Sequence, residues 1–215
     1  MGFRIKDGVL RKYNGIDKTV VIPDGVTEIG KGAFEDCESL KKIVIQDGVT
    51  KIGEKAFYRC WSLKEINIPG SVTEIGEGAF YNCSSLEKVV IQDGVEKIGN
   101  EAFRRCESLK EINIPDSVTE IGFRAFYDCK LLKYEKGLVV VNDILVDYYG
   151  KDEKVVVPNG VKIIGERAFE SFKSLKEINI PGSVTRMGKE AFSKCSSIRK
   201  SGYPGWCNRN RNRCI

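Results

Sequence analysis

The chain has 215 residues, enough for one ordinary domain or a short array of repeats, and 41% of them are hydrophobic, as in proteins with a packed core. Its net charge of +5 comes from residues 199–215, which hold five basic residues and no acidic one, whereas the rest of the chain holds 30 of each. So short a basic tail does not favour a nucleic-acid-binding protein. The sequence contains no histidine, the usual general base and metal ligand, and no run near the roughly 18 apolar residues of a membrane span.

The N-terminal segment carries two turn signals. Asp7-Gly8 separates two short apolar runs, which is the pattern of a β-hairpin. Asn14-Gly15 marks a second turn a few residues later. We therefore interpret residues 1–25 as a hairpin cap that precedes the first repeat.

A 23-residue unit then recurs, beginning at Val26, Val49, Val72, Val95, Val118, Val161 and Val184. A fixed period of this size predicts a solenoid, because one unit cannot bury its apolar face alone and stacked units can. In each unit an Ile-x-Ile pattern predicts a short strand with one buried face, and Val-x-x-Ile-Gly predicts a second extended piece. The run Gly-x-x-Ala-Phe-x-x-Cys predicts a short helix. The phenylalanines of the seven units predict one buried column: Phe34, Phe57, Phe80, Phe103, Phe126, Phe169 and Phe192.

A second hairpin interrupts the repeats. Residues 138–160 copy the N-terminal segment at a constant offset of 135, so that Gly150 corresponds to Gly15 and Asp152 to Asp17. The join before this copy has no linker rich in proline or serine, so we expect one continuous solenoid. The predicted segments are a hairpin cap (1–25), five repeats (26–137), a hairpin insert (138–160), two further repeats (161–200) and a basic C-terminal tail (201–215).

The repeated pattern carries a family resemblance. Leu-x-x-Ile-x-Ile-Pro-x-Ser-Val-x-x-Ile-Gly-x-x-Ala-Phe-x-x-Cys resembles the leucine-rich repeat of BspA-like, or Treponema-type, bacterial proteins, over roughly residues 3–200. The resemblance implies a leucine-rich-repeat solenoid that is right-handed and α/β in class, with a parallel sheet on its concave side and two β-hairpin inserts. Three features depart from it: Phe172 replaces the cysteine of the repeat, residues 133–137 do not complete a strand, and the pattern ends after Ile198.

The same resemblance implies a function and a location. It implies a non-enzymatic binding or adhesion module of a microbial protein that is secreted or lies at the cell surface. The partner would be a protein or a glycan, and we expect a monomer that binds no nucleic acid. The first residues lack the pattern of a signal peptide, which by itself favours the cytoplasm only weakly. A structural spacer that projects another domain is an alternative, and an engineered repeat protein is a further one.

Six of the eight cysteines occupy one position of the repeat. No Cys-x-x-Cys pair exists, so zinc and redox motifs are unsupported. Phe172 at the same position indicates a packing role, with each thiol a weak donor to a backbone carbonyl. Cys207 and Cys214 lie outside the repeats, and the sequence leaves open whether they form a disulfide in an oxidising compartment.

The residues between the buried isoleucines predict the exposed face of the strands. Lysine alternates with glutamate at one position and valine with asparagine at the next, so neighbouring strands place opposite charges side by side. This pattern sets strand register and solubility, and a solenoid commonly binds partners on such a surface. The candidate ligand-binding residues are Lys42, Val44, Gln46, Glu65, Asn67, Lys88, Val90, Gln92, Glu111, Asn113, Glu177 and Asn179.

Other candidate sites are weaker. Tyr58, Tyr81, Tyr127 and Trp61 form a stripe that either contacts a sugar or protein partner or stacks between repeats. The glycines follow the repeat and form no phosphate-binding loop. No carboxylate pair is maintained between repeats. We therefore predict no catalytic residue, no metal site and no cofactor.

Overall fold

The computed structural model describes residues 2–130, 132 and 137–198, and the chain divides into two compact units, Met1–Lys133 and Tyr134–Ile215. Every regular element in the described residues is a β-strand. That part of the chain contains no helix with the length and apolar character needed to cross a bilayer. Residues 133–136 and the whole basic tail (201–215), with Cys207 and Cys214, lie outside the described residues, so the predictions made for them stay predictions.

Two strands per repeat build two sheets in the first unit. Its strands are β1 (Phe3–Lys6), β2 (Val9–Tyr13), β3 (Thr19–Val21), β4 (Glu28–Ile29), β5 (Lys42–Val44), β6 (Lys51–Ile52), β7 (Glu65–Ile68), β8 (Glu74–Ile75), β9 (Lys88–Ile91), β10 (Lys97–Ile98), β11 (Glu111–Asn113) and β12 (Glu120–Ile121). The seven-stranded sheet has the order β1-β2-β4-β6-β8-β10-β12, and the five-stranded sheet has the order β11-β9-β7-β5-β3.

The predicted hairpin and the predicted period are both confirmed. β1 and β2 pair antiparallel around Asp7 and Gly8, whose positive φ angles of 53° and 74° suit the tight turn of a hairpin. Beyond the hairpin the strands pair in parallel, and each repeat lies one period further along: Ile52 is opposite Ile29, and Ile75 is opposite Ile52. Each repeat therefore adds one strand to each sheet, as a β-solenoid requires.

The apolar columns form the core between the two sheets. The phenylalanine rings of consecutive repeats stack almost parallel, with centroids 5.0 Å apart between Phe57 and Phe80 and 5.6 Å apart between Phe103 and Phe126. Alanine, leucine and isoleucine columns beside them are buried in the same way. The predicted phenylalanine column is confirmed, and in the second unit Phe169 and Phe192 stack at 5.0 Å.

The predicted short helix is wrong for the described residues, where the run forms successive turns instead. In the first repeat Gly32 and Asp36 have φ angles of 59° and 62°, and an α-helix does not accept such left-handed residues. Every second backbone N–H group of this run donates to a carbonyl of the next repeat. The Phe34 N–H, for example, donates to the Ala56 carbonyl at 2.7 Å. Because these donors bond across repeats, the i→i−4 bonds of a helix do not form, and the α/β class is not confirmed.

In every second repeat, a serine bonds to the loop of the repeat before it. The Ser71 hydroxyl donates to the Val49 carbonyl at 2.8 Å and accepts from the Gly48 N–H at 3.2 Å. The same pair of bonds recurs two repeats later, at Ser117, and Gly48 and Gly94 have φ angles of 106° and 115° that favour glycine. The structural unit of these loops is therefore a pair of repeats.

The second unit repeats this plan on a smaller scale. Its strands are β13 (Leu138–Val141), β14 (Ile144–Tyr148), β15 (Lys154–Val156), β16 (Ile163–Ile164), β17 (Glu177–Asn179) and β18 (Arg186–Met187). β13 and β14 form the predicted second hairpin, which continues into the sheet β13-β14-β16-β18, while β15 and β17 form a two-stranded sheet. Its apolar core includes Leu145, Phe169 and Phe192.

Candidate functional site

The five-stranded sheet has one buried and one exposed face. In β5, Ile43 is buried whereas Lys42 and Val44 on either side are exposed, and the other strands alternate in the same way. Its outward-pointing side chains, which we call the outward face, come from the predicted positions, and all of them are exposed except Val90, which is half-buried: Lys42, Val44, Glu65, Asn67, Lys88, Val90, Glu111 and Asn113.

The charged residues of the outward face form ion pairs between adjacent strands. Lys42 Nζ lies 3.8 Å from Glu65 Oε1, and Lys88 Nζ lies 3.1 Å from Glu111 Oε2. All four side chains are more than half exposed. Since exposed pairs contribute only about 0–1 kcal/mol each, these pairs neutralise the face more than they stabilise it.

The neighbouring positions supply apolar and amide groups. Val44 is 37% exposed and lies in register with Val21 of β3, which is 50% exposed. Asn67 and Val90 pair in register on β7 and β9. A shallow, open groove of about 300 Å³ runs over these strands, and it is lined by Lys42, Ile43, Val44, Ile45, Glu65, Ile66, Asn67, Lys88 and Val90.

The two glutamines of the predicted site differ in exposure. Gln46 is half-buried at the end of β5, whereas Gln92 is exposed. The Gln92 side chain accepts from the Gly70 N–H at 3.2 Å and donates to Asn67 Oδ1 at 3.4 Å. It therefore holds the neighbouring loop and orients Asn67.

Two predicted residues belong to the second unit. Glu177 and Asn179 are exposed on β17, where they lie in register with Lys154 and Val156 of β15. The Lys154 ammonium contacts the Glu177 carboxylate at 2.7 Å.

Sequence reasoning missed β3 of the five-stranded sheet and β15 of the two-stranded sheet. Thr19 and Val21 extend the outward face, and Val156, which is 65% exposed, does the same in the second unit. Both segments lack the Ala-Phe-Cys part of the repeat. The apolar spacing of Val20 and Ile22, which matches Ile43 and Ile45, was the signal that could have identified them.

The cysteine column is packed as predicted. The Cys60 thiol donates to the Phe34 carbonyl at 3.2 Å, and the Cys83 thiol donates to the Phe57 carbonyl at 3.1 Å. Burial raises the pKa of the Cys83 thiol to about 12 and that of the Cys129 thiol to about 12. Because a thiol is nucleophilic only as thiolate, these groups are unsuited to chemistry near neutral pH.

The tyrosine stripe stacks between repeats. The Tyr58 and Tyr81 rings lie 5.3 Å apart, and the Arg104 guanidinium lies 5.3 Å from the Tyr81 ring centroid and 5.1 Å from that of Tyr127. Arg104 also bonds to Glu101 at 2.5 Å. These contacts pack the tyrosine rings against neighbouring side chains, which favours stacking between repeats as the role of Tyr58, Tyr81 and Tyr127.

A search for groups of three or more potential metal ligands finds none within the described ranges. The buried carboxylate there is that of Asp147, which accepts bonds from the Tyr149 hydroxyl and the Tyr148 N–H, each at 2.8 Å. These bonds account for its burial in structural terms.

Comparisons with known proteins agree with this architecture. The family model for the BspA-type leucine-rich repeat region, with six copies, matches residues 7–133 and 148–214. The crystal structure of a leucine-rich repeat protein of T. pallidum is similar, with 31% identity, a TM-score of 0.62, and coverage of 94% of this chain and 86% of that one. A leucine-rich cell surface protein of Faecalibacterium prausnitzii is 27% identical, with a TM-score of 0.46 and coverage of 89% and 70%.

No curated protein sequence matches the chain significantly. The family model alone spans well over half of the chain, and one of its two matched segments falls in each unit, over the repeats that follow the hairpin. The structure agrees with that match, because its strands pair in a 23-residue register and its phenylalanines stack in one column between parallel sheets. The chain therefore belongs to the BspA-type leucine-rich repeat family.

Proposed function

We propose that the chain is a non-enzymatic binding module that presents the outward face of its five-stranded sheet to a protein partner. The observation that carries this proposal is the composition of that face. Val21 and Val44, which are 50% and 37% exposed, adjoin lysines and glutamates that are already paired with one another. These valines form an apolar patch at the β3–β5 edge of the sheet, next to charges that are already neutralised. A protein–protein interface combines apolar contacts with polar surroundings in this way.

The charge pattern favours recognition by shape. Each lysine of the face has a glutamate beside it, at 3.8 Å for Lys42 and 3.1 Å for Lys88. A strongly charged ligand would have to break these pairs, whereas an uncharged protein surface would cover them at little cost. The exposed amides of Asn67 and Asn113 offer both donors and acceptors to such a surface.

A protein partner fits the groove better than a glycan does. The nine described residues that line it are aliphatic, charged or amide-bearing, and none of them is aromatic. Sugar rings pack well on aromatic faces, whereas Tyr58, Tyr81 and Tyr127 pack on one another or on arginine and lie outside this groove. Glycan binding is accordingly the second candidate for the same face.

We also propose that the module acts outside a microbial cell or at its surface. Membership of the BspA-type family supports this location, as the resemblance of the repeat pattern implies. The T. pallidum and F. prausnitzii proteins are similar to this chain in sequence, and we infer no partner of this chain from them.

The test is an array of purified extracellular proteins and glycans probed with the labelled chain. The variant V44K/V90K places two charges in the apolar part of the outward face. The matched control T50K/T73K places two lysines at exposed threonines outside that face. We expect binding to one or more proteins that V44K/V90K lowers at least tenfold and that T50K/T73K leaves unchanged.

Three results would contradict the proposal. Equal binding by both variants would place the contact elsewhere on the molecule. An array without any bound protein or glycan would favour a structural spacer. Spots bound only in the glycan set, and lost in V44K/V90K, would replace the protein partner with a glycan.

A further inference from the structure

The two hairpins build the same local structure at the start of each unit. Tyr13 and Tyr148 pack on the first phenylalanine of their units, with ring centroids 5.2 Å and 5.3 Å apart. Each tyrosine hydroxyl bonds to the aspartate four residues later, Asp17 or Asp152. A Cβ atom on Gly15 or on Gly150 would lie 2.2 Å from the tyrosine hydroxyl, so both turns require glycine.

The two units differ at two positions around this tyrosine. In the first unit Phe3 packs on Tyr13, with ring centroids 5.1 Å apart, and its counterpart in the second unit is Leu138. In the second unit Phe172 packs on Tyr148, with ring centroids 4.6 Å apart. The corresponding residue of the first unit, at the constant offset of 135, is the much smaller Cys37. There the structure has an open pocket of about 380 Å³ between Tyr13, Cys37 and Leu40, which we call the cap pocket.

The charge of the cap-pocket rim also differs between the two units. Asp36 and Glu38 line it in the first unit, where the second unit has Ser171 and Lys173. Asp17 and Glu35 line it as well, and both of them have acidic counterparts in the second unit. Asp36 has a partial counter-charge in Arg59, whose Nη1 lies 3.8 Å from Asp36 Oδ1.

An exposed apolar residue completes the rim. Ile16 lines the cap pocket and is 86% exposed, whereas its counterpart in the second unit is Lys151. An isoleucine so exposed gains contact area when a ligand covers it. The first unit thus combines space for a ring, an apolar wall and an acidic rim, where the second unit has its own phenylalanine and two lysines.

We propose that the cap pocket binds an aromatic ring that carries a cationic group. The ring lies beside Cys37, at the position that Phe172 takes in the second unit, and packs against the exposed Ile16. Tyr13 is 3% exposed and packs on Phe3 and Phe34, so it contributes only the small exposed part of its ring to the cap pocket. The cation faces the carboxylates of Glu38 and Asp17, where a charge-assisted hydrogen bond is stronger than a neutral one. Because the cap pocket shares no residue with the outward face, this proposal is independent of the proposed function.

This chemistry has two sources: a small arylalkylamine, or an aromatic side chain next to a lysine in a protein. The first probe is tryptamine, titrated into the full chain by isothermal titration calorimetry. We expect one equivalent to bind. The anionic analogue indole-3-propionate should bind at least tenfold more weakly, because its carboxylate would face the acidic rim.

The substitution C37F installs the side chain that the second unit already has at this position. It fills the cap pocket, and we expect it to lower the association constant for tryptamine at least tenfold. Two rim variants test the charge without changing the interior. E38K copies Lys173, and D36S copies Ser171, whose φ angle of 65° is close to the 62° of Asp36. Both should weaken tryptamine binding, and E38K should do so by at least tenfold.

The control E77K makes the same charge change at an exposed glutamate that does not line the cap pocket. It should bind tryptamine as the unchanged protein does. Melting curves for all four variants report whether each one is folded. If C37F does not fold, E38K and D36S still test whether the cap pocket binds tryptamine. The blocked peptide acetyl-Lys-Trp-Lys-amide then distinguishes the sources, because tighter binding than tryptamine assigns the site to a protein segment and weaker binding assigns it to a small amine.

Three results would overturn the proposal. The first is the absence of tryptamine binding at millimolar concentration. The second is unchanged binding by folded C37F, and the third is equal binding of tryptamine and indole-3-propionate. A failure of the array experiment on the outward face would leave these outcomes unaffected, because V44K/V90K does not alter the cap pocket.

Discussion

The Cys83 thiol donates a hydrogen bond to the carbonyl of Phe57, 3.1 Å away, in the repeat before its own. The same bond joins Cys106 to Phe80 at 3.2 Å and Cys129 to Phe103 at 3.1 Å. The cysteine column thus links each repeat to the turn of the preceding one. Protonated thiols are part of the folded structure.

Stability should therefore fall at high pH. Burial raises the pKa of the Cys83 thiol from 9.0 to about 12. The neutral thiol stabilises the fold fully below pH 9, where the unfolded chain is also protonated, and this contribution is lost as the pH rises toward 12. Each such thiol should lower the free energy of unfolding by about 1.4 kcal/mol per pH unit in this range.

Guanidinium chloride denaturation between pH 8 and pH 11 measures this slope. The variant C83A removes one of the thiols that titrate, so its stability should fall less steeply above pH 9. Identical slopes for C83A and the unchanged protein would show that the Cys83 thiol does not contribute.

The phenylalanine column should dominate the stability of the first unit. Phe103 is fully buried, with the Phe80 ring 5.1 Å away on one side and the Phe126 ring 5.6 Å away on the other. F103A should cost roughly 3–5 kcal/mol, as expected for the loss of a core phenylalanine. Chemical denaturation measures the loss, and W61A, at a side chain that is 39% exposed, is a control that should cost much less. An unchanged midpoint for F103A would contradict the column.

Close contact between backbones should make one glycine indispensable. A Cβ atom on Gly76 would lie 2.7 Å from the backbone nitrogen of Glu54 and 2.7 Å from the carbonyl carbon of Gly53. G76A should therefore push two repeats apart and destabilise the protein by about 1–3 kcal/mol. At Gly182 nothing lies within 4 Å of such an atom, so G182A should be neutral or slightly stabilising. Thermal melting of the two variants compares them, and equal melting temperatures would refute the close contact.

The ion pairs of the outward face should contribute little to stability. Lys88 and Glu111 are 54% and 68% exposed and lie 3.1 Å apart. A double-mutant cycle with K88Q and E111Q should give a coupling energy of about 0.2–1 kcal/mol that decreases in 0.5 M salt. A coupling energy above about 2 kcal/mol would mean that this pair determines strand register, and that the face is less adaptable than we propose.

Much of the fold was predictable because the apolar side chains recur at fixed positions of the repeat. The apolar columns fix the period of 23 and the burial of Ile43 and Ile66, and both follow from the sequence. The turns were not predictable in the same way. Asp36 and Arg59 adopt φ angles of 62° and 59° without being glycine, because backbone bonds to the next repeat hold them there. Local propensity does not record bonds between residues 22 positions apart.

The candidate site was predicted only in part. The Ile-x-Ile pattern predicted which residues of each strand point outward, since this depends only on the side of the strand that a residue takes. That these residues bind a ligand stays a prediction. The cap pocket was not predicted, although the alignment that places Cys37 opposite Phe172 was available. The sequence showed a position that accepts two residue types, whereas the volume left beside Tyr13 depends on how the hairpin packs.

The serines Ser71 and Ser117 determine which changes in the number of repeats keep the bonds between loops. Ser71 closes the loop of Gly48, and Ser117 closes that of Gly94, so the matching contacts recur after 46 residues. Unequal recombination that removes or adds 46 residues therefore rejoins each glycine to a serine. A change of 23 residues would lose one of these bonds and leave two loops of the same type side by side, as the loops of Gly25 and Gly48 already lie in this chain. Changes of 46 residues are therefore the ones that keep every glycine–serine bond.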